Sequence, residues 1–270
     1  MPHHHSPKSA RLETPRGGLA LTTLDGDPNA PVVLGLHGLA SDRGSSKNTF
    51  LLQRCAAAGV AAVTVDYPGH GDSYGGLKDF TMSEGLAAVE AVATHVARPL
   101  VVVGSSTGGW LALLVALARP RQVVGVVTVA NAADFTETLL WSPLSPAEKD
   151  HFSRTGVRTE PRDDAPPIEL GYGLVTDGRR HRVLGNGRLS GVRCPVRLLH
   201  GMADTDVPWQ VSVDVAHEVG SLDTEVLLLP GVDHRFKDAR ALKTLAVAVA
   251  GLPVWVPEVA VRLRGVGVTA

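Results

Sequence analysis

The chain holds only two cysteines in 270 residues, Cys55 and Cys194, with no CxxC spacing. Two cysteines build no disulfide framework, which speaks for a reducing compartment, and the expected location is cytoplasmic. No stretch approaches the ~18 uninterrupted apolar residues of a membrane span. Residues 1–16 are polar, carry Pro, His, Lys and Arg, and lack an apolar centre, so they do not read as a secretory signal. A net charge of −1 gives neither nucleic acid nor an anionic membrane a reason to bind. His3-His4-His5, three adjacent histidines in a polar tail, read as adventitious and not as a metal site. What remains is an ordinary globular composition, 44% hydrophobic and 20% charged.

Against that background one stretch stands out. An apolar run over residues 100–103 has the length and β-branching of a strand buried on both faces. It passes into Gly104-Ser105-Ser106-Thr107-Gly108 and then into the helix-like 110–117. This is a G-x-S-x-G pattern in a strand-turn-helix setting. A serine on so sharp a turn presents its hydroxyl openly, and strand and helix pass too closely for side chains at 104 and 108. The free N–H groups of the helix start lie where an oxyanion would form.

The same rhythm recurs along the chain. Apolar strands are expected at 31–36, 60–65, 123–129, 194–201 and 224–229, and an edge strand at 19–24. Helices are expected at 47–58, 82–96, 211–219 and 239–250. Such alternation implies an α/β fold with a mostly parallel central sheet flanked by helices. Ligands then bind beyond the carboxyl ends of the strands. Between about 131 and 193 the rhythm breaks, with a helix start at Pro146, and this segment reads as a lid or cap. The expected organisation is a flexible tail over 1–16, a domain over 17–250 containing the insertion, and a C-terminal tail over 251–270.

A serine hydroxyl needs a base, and the base needs an orienting group. Asp204 and His234 each follow a predicted strand, on the rim that carries Ser106. Ser106 is therefore assigned as nucleophile, His234 as general base and acid, and Asp204 as the carboxylate that orients it. Ser105 lacks the flanking glycines, Asp206 reads as a solvated loop carboxylate, and Asp233 as a turn cap or salt-bridge partner. His37 and His200 also end strands but precede glycine, where histidines are often structural. His70, His95, His151, His181 and His217 read as surface residues. Two N–H donors for the oxyanion are assigned to Thr107, after the nucleophile, and to Leu39, in the loop after the strand at 31–36. Trp110, Trp141 and Trp209 are candidate acyl-pocket walls, though an indole also packs a core well. Arg179, Arg180 and Arg182 read as a solvated basic turn within reach of an anionic group.

Together with Ala118-Arg119-Pro120, Leu198-Leu199-His200-Gly201-Met202 running on to Val207-Pro208-Trp209, and Asp233-His234-Arg235, the elbow resembles the α/β-hydrolase superfamily. The chain is most similar to the branch around alpha/beta-hydrolase domain-containing protein ten. That resemblance, running from about 32 to 250, implies an α/β-hydrolase fold with a small lid insertion. It also implies palmitoyl-protein thioesterase or acyl-glucuronide esterase chemistry without cofactor or metal. The family's serine, aspartate and histidine fall on Ser106, Asp204 and His234. The expected substrate is a small-molecule ester or thioester, or an acylated protein. A peptidase, an acyltransferase, or a ligand-sensing protein with a retained triad stay open as alternatives.

Overall fold

The computed structural model describes residues 6–162 and 166–265. His3-His4-His5, the extreme ends of both expected tails and residues 163–165 of the insertion lie outside the described residues.

The described chain opens with an antiparallel hairpin, β1 (Lys8–Thr14) and β2 (Gly17–Leu24). This corrects two expectations. Residues 8–14 are the outermost strand of the sheet instead of a tail, and β2, read as the edge, is covered by them. The polar side chains of β1 stay largely in water, while its backbone gains partners from β2.

The predicted apolar strands follow as β3 (Val32–Leu36), β4 (Ala62–Val65), β5 (Leu100–Ser105) and β6 (Val123–Val129). The insertion adds a short antiparallel pair, β7 (Val157–Glu160) and β8 (Ile168–Gly171). The main sheet then resumes with β9 (Val196–Gly201) and β10 (Thr224–Leu229). Its order is β1-β2-β4-β3-β5-β6-β9-β10, parallel from β4 to β10.

Both sheet faces are apolar because side chains alternate along each strand. Leu34 and Leu36 of β3 and Leu100 and Val102 of β5 point to one face; Val33, Val101 and Val103 point to the other. The first face is covered by α2 (Met82–Val96), α3 (Thr107–Ala118) and α6 (Gln210–Glu218). The second is covered by α1 (Ser46–Ala58), α7 (Ala239–Ala250) and α8 (Pro257–Arg264).

Helix α8 corrects the expected C-terminal tail. It starts with proline at its first turn and buries Val259 and Leu263, four residues apart on one stripe. The Arg54 guanidinium of α1 donates to the carbonyls of Leu263 at 3.1 Å and Arg262 at 2.6 Å.

The segment after β6 is structured as well. Thr136–Trp141 winds as a π-helix, α4 (Pro146–Thr155) begins in a reciprocal Ser145–Glu148 cap, and α5 (Tyr172–Gly178) follows β8. Phe152, Leu170, Leu174 and Val175 join the core of the first face. Among the described residues no helix is long and apolar enough to cross a membrane.

Candidate active site

Ser106 sits between β5 and α3 with φ 55° and ψ −119°, a conformation that costs a non-glycine residue about 1–3 kcal/mol. Its amide donates to the Val129 carbonyl at 2.9 Å, and its carbonyl accepts from Gly109 at 2.8 Å and Ala132 at 3.2 Å. The flanking glycines are required by space. A Cβ on Gly104 would overlap the Gly108 carbonyl, and one on Gly108 would stand 2.5 Å from the carbonyls of Leu36 and His37.

The side chains of Ser106, His234 and Asp204, separated by 128 and 30 residues along the chain, form one hydrogen-bonded line. His234 Nε2 lies 3.2 Å from Ser106 Oγ, and His234 Nδ1 lies 2.7 Å from Asp204 Oδ2. An ionised carboxylate only accepts, so Nδ1 carries the hydrogen and Nε2 is left to accept from the serine. The Asp204 carboxylate is fully buried, while the imidazole is about one-fifth exposed.

Burial alone would disfavour the charge on Asp204. Hydrogen bonds from His200 and His234, with the Val207 amide, outweigh it and hold the carboxyl well below the usual carboxylate range. Its Oδ1 accepts the Asp206 and Val207 amides at 2.9 and 2.8 Å, and its Oδ2 accepts from both imidazoles.

His200 was not expected at the site. Its Nε2 donates to Asp204 Oδ2 and to the Val207 carbonyl, both at 3.1 Å, and its Nδ1 accepts from the Ser212 hydroxyl at 2.7 Å. These contacts fix one tautomer. The four-residue spacing from His200 to Asp204 was the available signal for it.

His37 has the structural role expected of a histidine before glycine. Its Nδ1 donates to the Gly38 carbonyl at 2.7 Å, and Tyr67 donates to it and to its carbonyl from its amide and phenol. Burial first, and the nearby His70 second, lower its pKa to about 3 despite the bond to Gly38. His70, expected on the surface, is buried, because its ring packs edge-on against Phe80 and lies close to Tyr67 and His37. Asp233 caps a turn by accepting the Phe236 amide at 3.1 Å.

Two cavities meet at the serine. One, of about 310 Å³, is walled mainly by Phe135, Leu139, Leu140, Ile168, Leu170 and Val207, with Glu160 and Asp206 also on its lining. Leu39 and Thr107 border it beside Ser106. Thr107 is in the first turn of α3, where the helix itself leaves amides unpaired. The second cavity, of about 260 Å³, lies on the α1 side and has polar and basic walls.

The three tryptophans do not line the apolar cavity. Trp110 is fully buried and donates to the His181 carbonyl at 3.2 Å. The basic turn is engaged within the insertion: Arg179 pairs with Glu137 at 2.8 Å over the Trp141 ring, and Arg182 lies 3.7 Å from Asp134. Asp134 in turn accepts the Val183 and Leu184 amides, tying the end of the insertion to its beginning.

Residues 33–267 match the model of the alpha/beta hydrolase family. A bovine protein named palmitoyl-protein thioesterase ABHD10, mitochondrial, is 33% identical over 83% of this chain and 73% of its own length. A monoacylglycerol lipase of Mycolicibacterium smegmatis is 26% identical over 78% of this chain and 83% of its own. The structure of mouse alpha/beta hydrolase domain-containing protein 10 superposes with a TM-score of 0.79 at 31% identity, covering 88% of this chain and 95% of that one. These relatives overturn the cytoplasmic location expected from cysteine usage, since the bovine, orangutan, human and mouse proteins are all named as mitochondrial. Scarce cysteine speaks only for reducing conditions and does not select one compartment that provides them.

Proposed function

The chain belongs to the alpha/beta hydrolase family, close to its domain-containing protein 10 branch, and from this premise we propose that it hydrolyses carboxylic esters or thioesters through an acyl-enzyme on Ser106. The observation that carries the proposal is the line from Ser106 Oγ through His234 to Asp204, with each neighbour in hydrogen-bond reach.

The steps follow from that line. His234 Nε2 takes the Ser106 proton as Oγ adds to the carbonyl carbon. The oxyanion is met by the amides of Leu39 and Thr107. His234 then gives its proton to the departing oxygen or sulfur, and the acyl group remains on Oγ. Water repeats the sequence: its proton goes to His234 and its hydroxide to the acyl carbon. Ser106 recovers the proton as the carboxylic acid leaves. Asp204 holds the imidazole orientation and offsets the positive charge it gains.

In the same reading the apolar cavity takes the acyl chain, and the segment over about 131–193 is a cap whose Leu139, Leu140, Ile168 and Leu170 supply much of the wall. The names of the thioesterase and lipase relatives support both small ester or thioester substrates and an acylated protein. The test is Ser106→Ala with p-nitrophenyl esters and an acyl thioester, beside labelling by a fluorophosphonate. A fall of about 10³-fold or more, with loss of labelling, is expected. Undiminished turnover refutes the assignment.

A further inference from the structure

The loop between β3 and α1, residues 37–45, passes directly over Ser106. A Cβ on Gly38 would stand 3.3 Å from the Ser106 Cβ and 3.8 Å from its Oγ, so bare backbone faces the hydroxyl there. The next residue is Leu39, whose amide the serine-hydrolase reading gives to the oxyanion. Leu39 and Ala40 are the centre of a four-residue turn, closed where the Ser41 amide donates to the Gly38 carbonyl at 3.3 Å. Ala40 sits at φ 53°, a place in a turn that favours glycine or asparagine. A strained turn keeps its shape only when its surroundings over-determine it.

The surroundings that hold this turn come from the stretch after β4. Leu36 pairs with Val65, so sheet register brings together the residues just beyond the two strands. At the near end of the loop the fully buried Tyr67 donates from its phenol to the His37 carbonyl at 2.9 Å. At the far end the Asp66 carboxylate, wholly shielded from water, accepts the Arg43 amide at 2.5 Å and also the Arg43 guanidinium. Asp66 accepts the Asp72 amide as well, at 2.9 Å, and the same guanidinium reaches the Asp72 carboxylate at 2.7 Å. Gly71, at φ 49°, lets its loop wrap the carboxylate, since a Cβ there would stand 2.1 Å from Asp66 Oδ2. Taking two charges out of water is expensive, and packed apolar side chains often hold a fold as well. What the pair adds is direction, because one carboxylate accepting two backbone amides orients both loops at once.

Resting on the serine-hydrolase reading above, we propose that Asp66 is a positioning residue for the oxyanion: through Arg43 it fixes the far end of the loop, and with Tyr67 at the near end it sets where the Leu39 amide points. Asp66 touches no reacting atom. Its effect is on the distance between one donor and the oxygen that becomes charged, and such a donor acts fully only when it is already in place. In Asp66→Asn one of the two side-chain oxygens becomes an NH₂ group. Whichever way that amide turns, it faces an N–H donor of Arg43 or Asp72 in place of accepting from it. The far anchor then loosens, while Ser106, His234 and the apolar cavity keep their own supports.

The test measures p-nitrophenyl butyrate turnover and the affinity of an alkyl trifluoromethyl ketone in Asp66→Asn, with far-UV circular dichroism to follow folding. The ketone adds to the serine as a tetrahedral oxyanion, so its affinity follows transition-state stabilisation and not substrate binding. In Asp66→Asn kcat is expected to fall about tenfold, less than the ~10²–10³-fold for outright removal of a donor, with KM changed by less than about threefold. The ketone is expected to bind about tenfold more weakly. If Asp66→Asn does not fold, Arg43→Met, at a side chain about one-fifth exposed, is read by the same two measurements. A fall of about threefold in both is expected there, and Arg43→Lys, which restores a cation beside Asp66, is expected to recover part of it. Ketone affinity unchanged in the folded variant, or a loss carried by KM alone, overturns the positioning role and leaves the hydrolase reading standing. A wild-type chain that neither turns over esters nor takes a fluorophosphonate label overturns both.

Discussion

His200 Nε2 and His234 Nδ1 donate to the same oxygen, Oδ2 of Asp204, at 3.1 and 2.7 Å. One carboxylate oxygen therefore anchors a partly exposed imidazole and a second that is fully buried and fixed by Ser212 and Val207. His200 acts as a positioning residue: it keeps Asp204 ionised and prevents its rotation.

Replacing His200 by Asn removes a hydrogen bond to a buried charge, worth about 1.5–3 kcal/mol. The sign with pH is set by Asp204, whose folded carboxyl is held below its unfolded value. Its contribution is fully present above the ordinary carboxylate range and is lost as pH falls through the depressed folded value. Urea unfolding at neutral pH should show the full deficit in His200→Asn, and the deficit should shrink in strong acid. A deficit that does not vary with pH would place His200 in packing alone. Activity should fall through kcat more than through KM.

Acid should act on the fold at milder pH through His37. Its pKa of about 3 lies below the unfolded value, so the neutral form stabilises the protein above about 6.5 and that stability drains as pH falls toward 3. Between pH 7 and pH 5 the loss is about 2 kcal/mol. His70, also lowered by burial, adds in the same direction. Denaturant titrations at the two pH values should give this slope, and His37→Gln should flatten it.

Space at the elbow makes a sharper prediction. In Gly108→Ala the new methyl meets two backbone carbonyls at 2.5 Å, which cannot turn aside as a side chain would. A destabilisation of about 3 kcal/mol is expected, with slower fluorophosphonate labelling. Gly156→Ala is the control: φ is 75° but nothing stands within 4 Å, so only the backbone penalty of about 1 kcal/mol applies. Thermal unfolding of the two variants should rank them in that order.

The apolar cavity should measure acyl chains. Leu139→Trp fills part of its roughly 310 Å³, and the ratio of kcat/KM for decanoyl over butyryl p-nitrophenyl esters is expected to fall about tenfold. An unchanged ratio would mean that the chain lies elsewhere.

The parallel strands were legible because burial on both faces leaves runs such as Val101-Val102-Val103 with no polar interruption. Helices α2 and α7 begin and end where capping residues and apolar spacing predict. Strand β1 was hidden, since an exposed outer strand has the composition of a tail and only pairing with β2 reveals it. In α8 the start at Pro257 and the Val259–Leu263 spacing were readable, but eight residues give a weak periodicity. Ser106, Asp204 and His234 could be picked out by their places after strands. His200 was signalled only by its four-residue spacing to Asp204, whereas the bond from Lys47 to the Arg235 carbonyl joins stretches 188 residues apart and leaves no local pattern.

The Ser106 turn is tied to the end of β6 through Val129 and, just beyond it, Ala132, while much of the cavity wall comes from a separate stretch of chain. Position of the Ser106 hydroxyl is thus inherited from sheet register, and shape of the surrounding space from an attachment to that sheet. Substitutions at Leu139, Leu140, Ile168 or Leu170 should therefore reshape that space while leaving the strand pairing that sets Ser106 as it is.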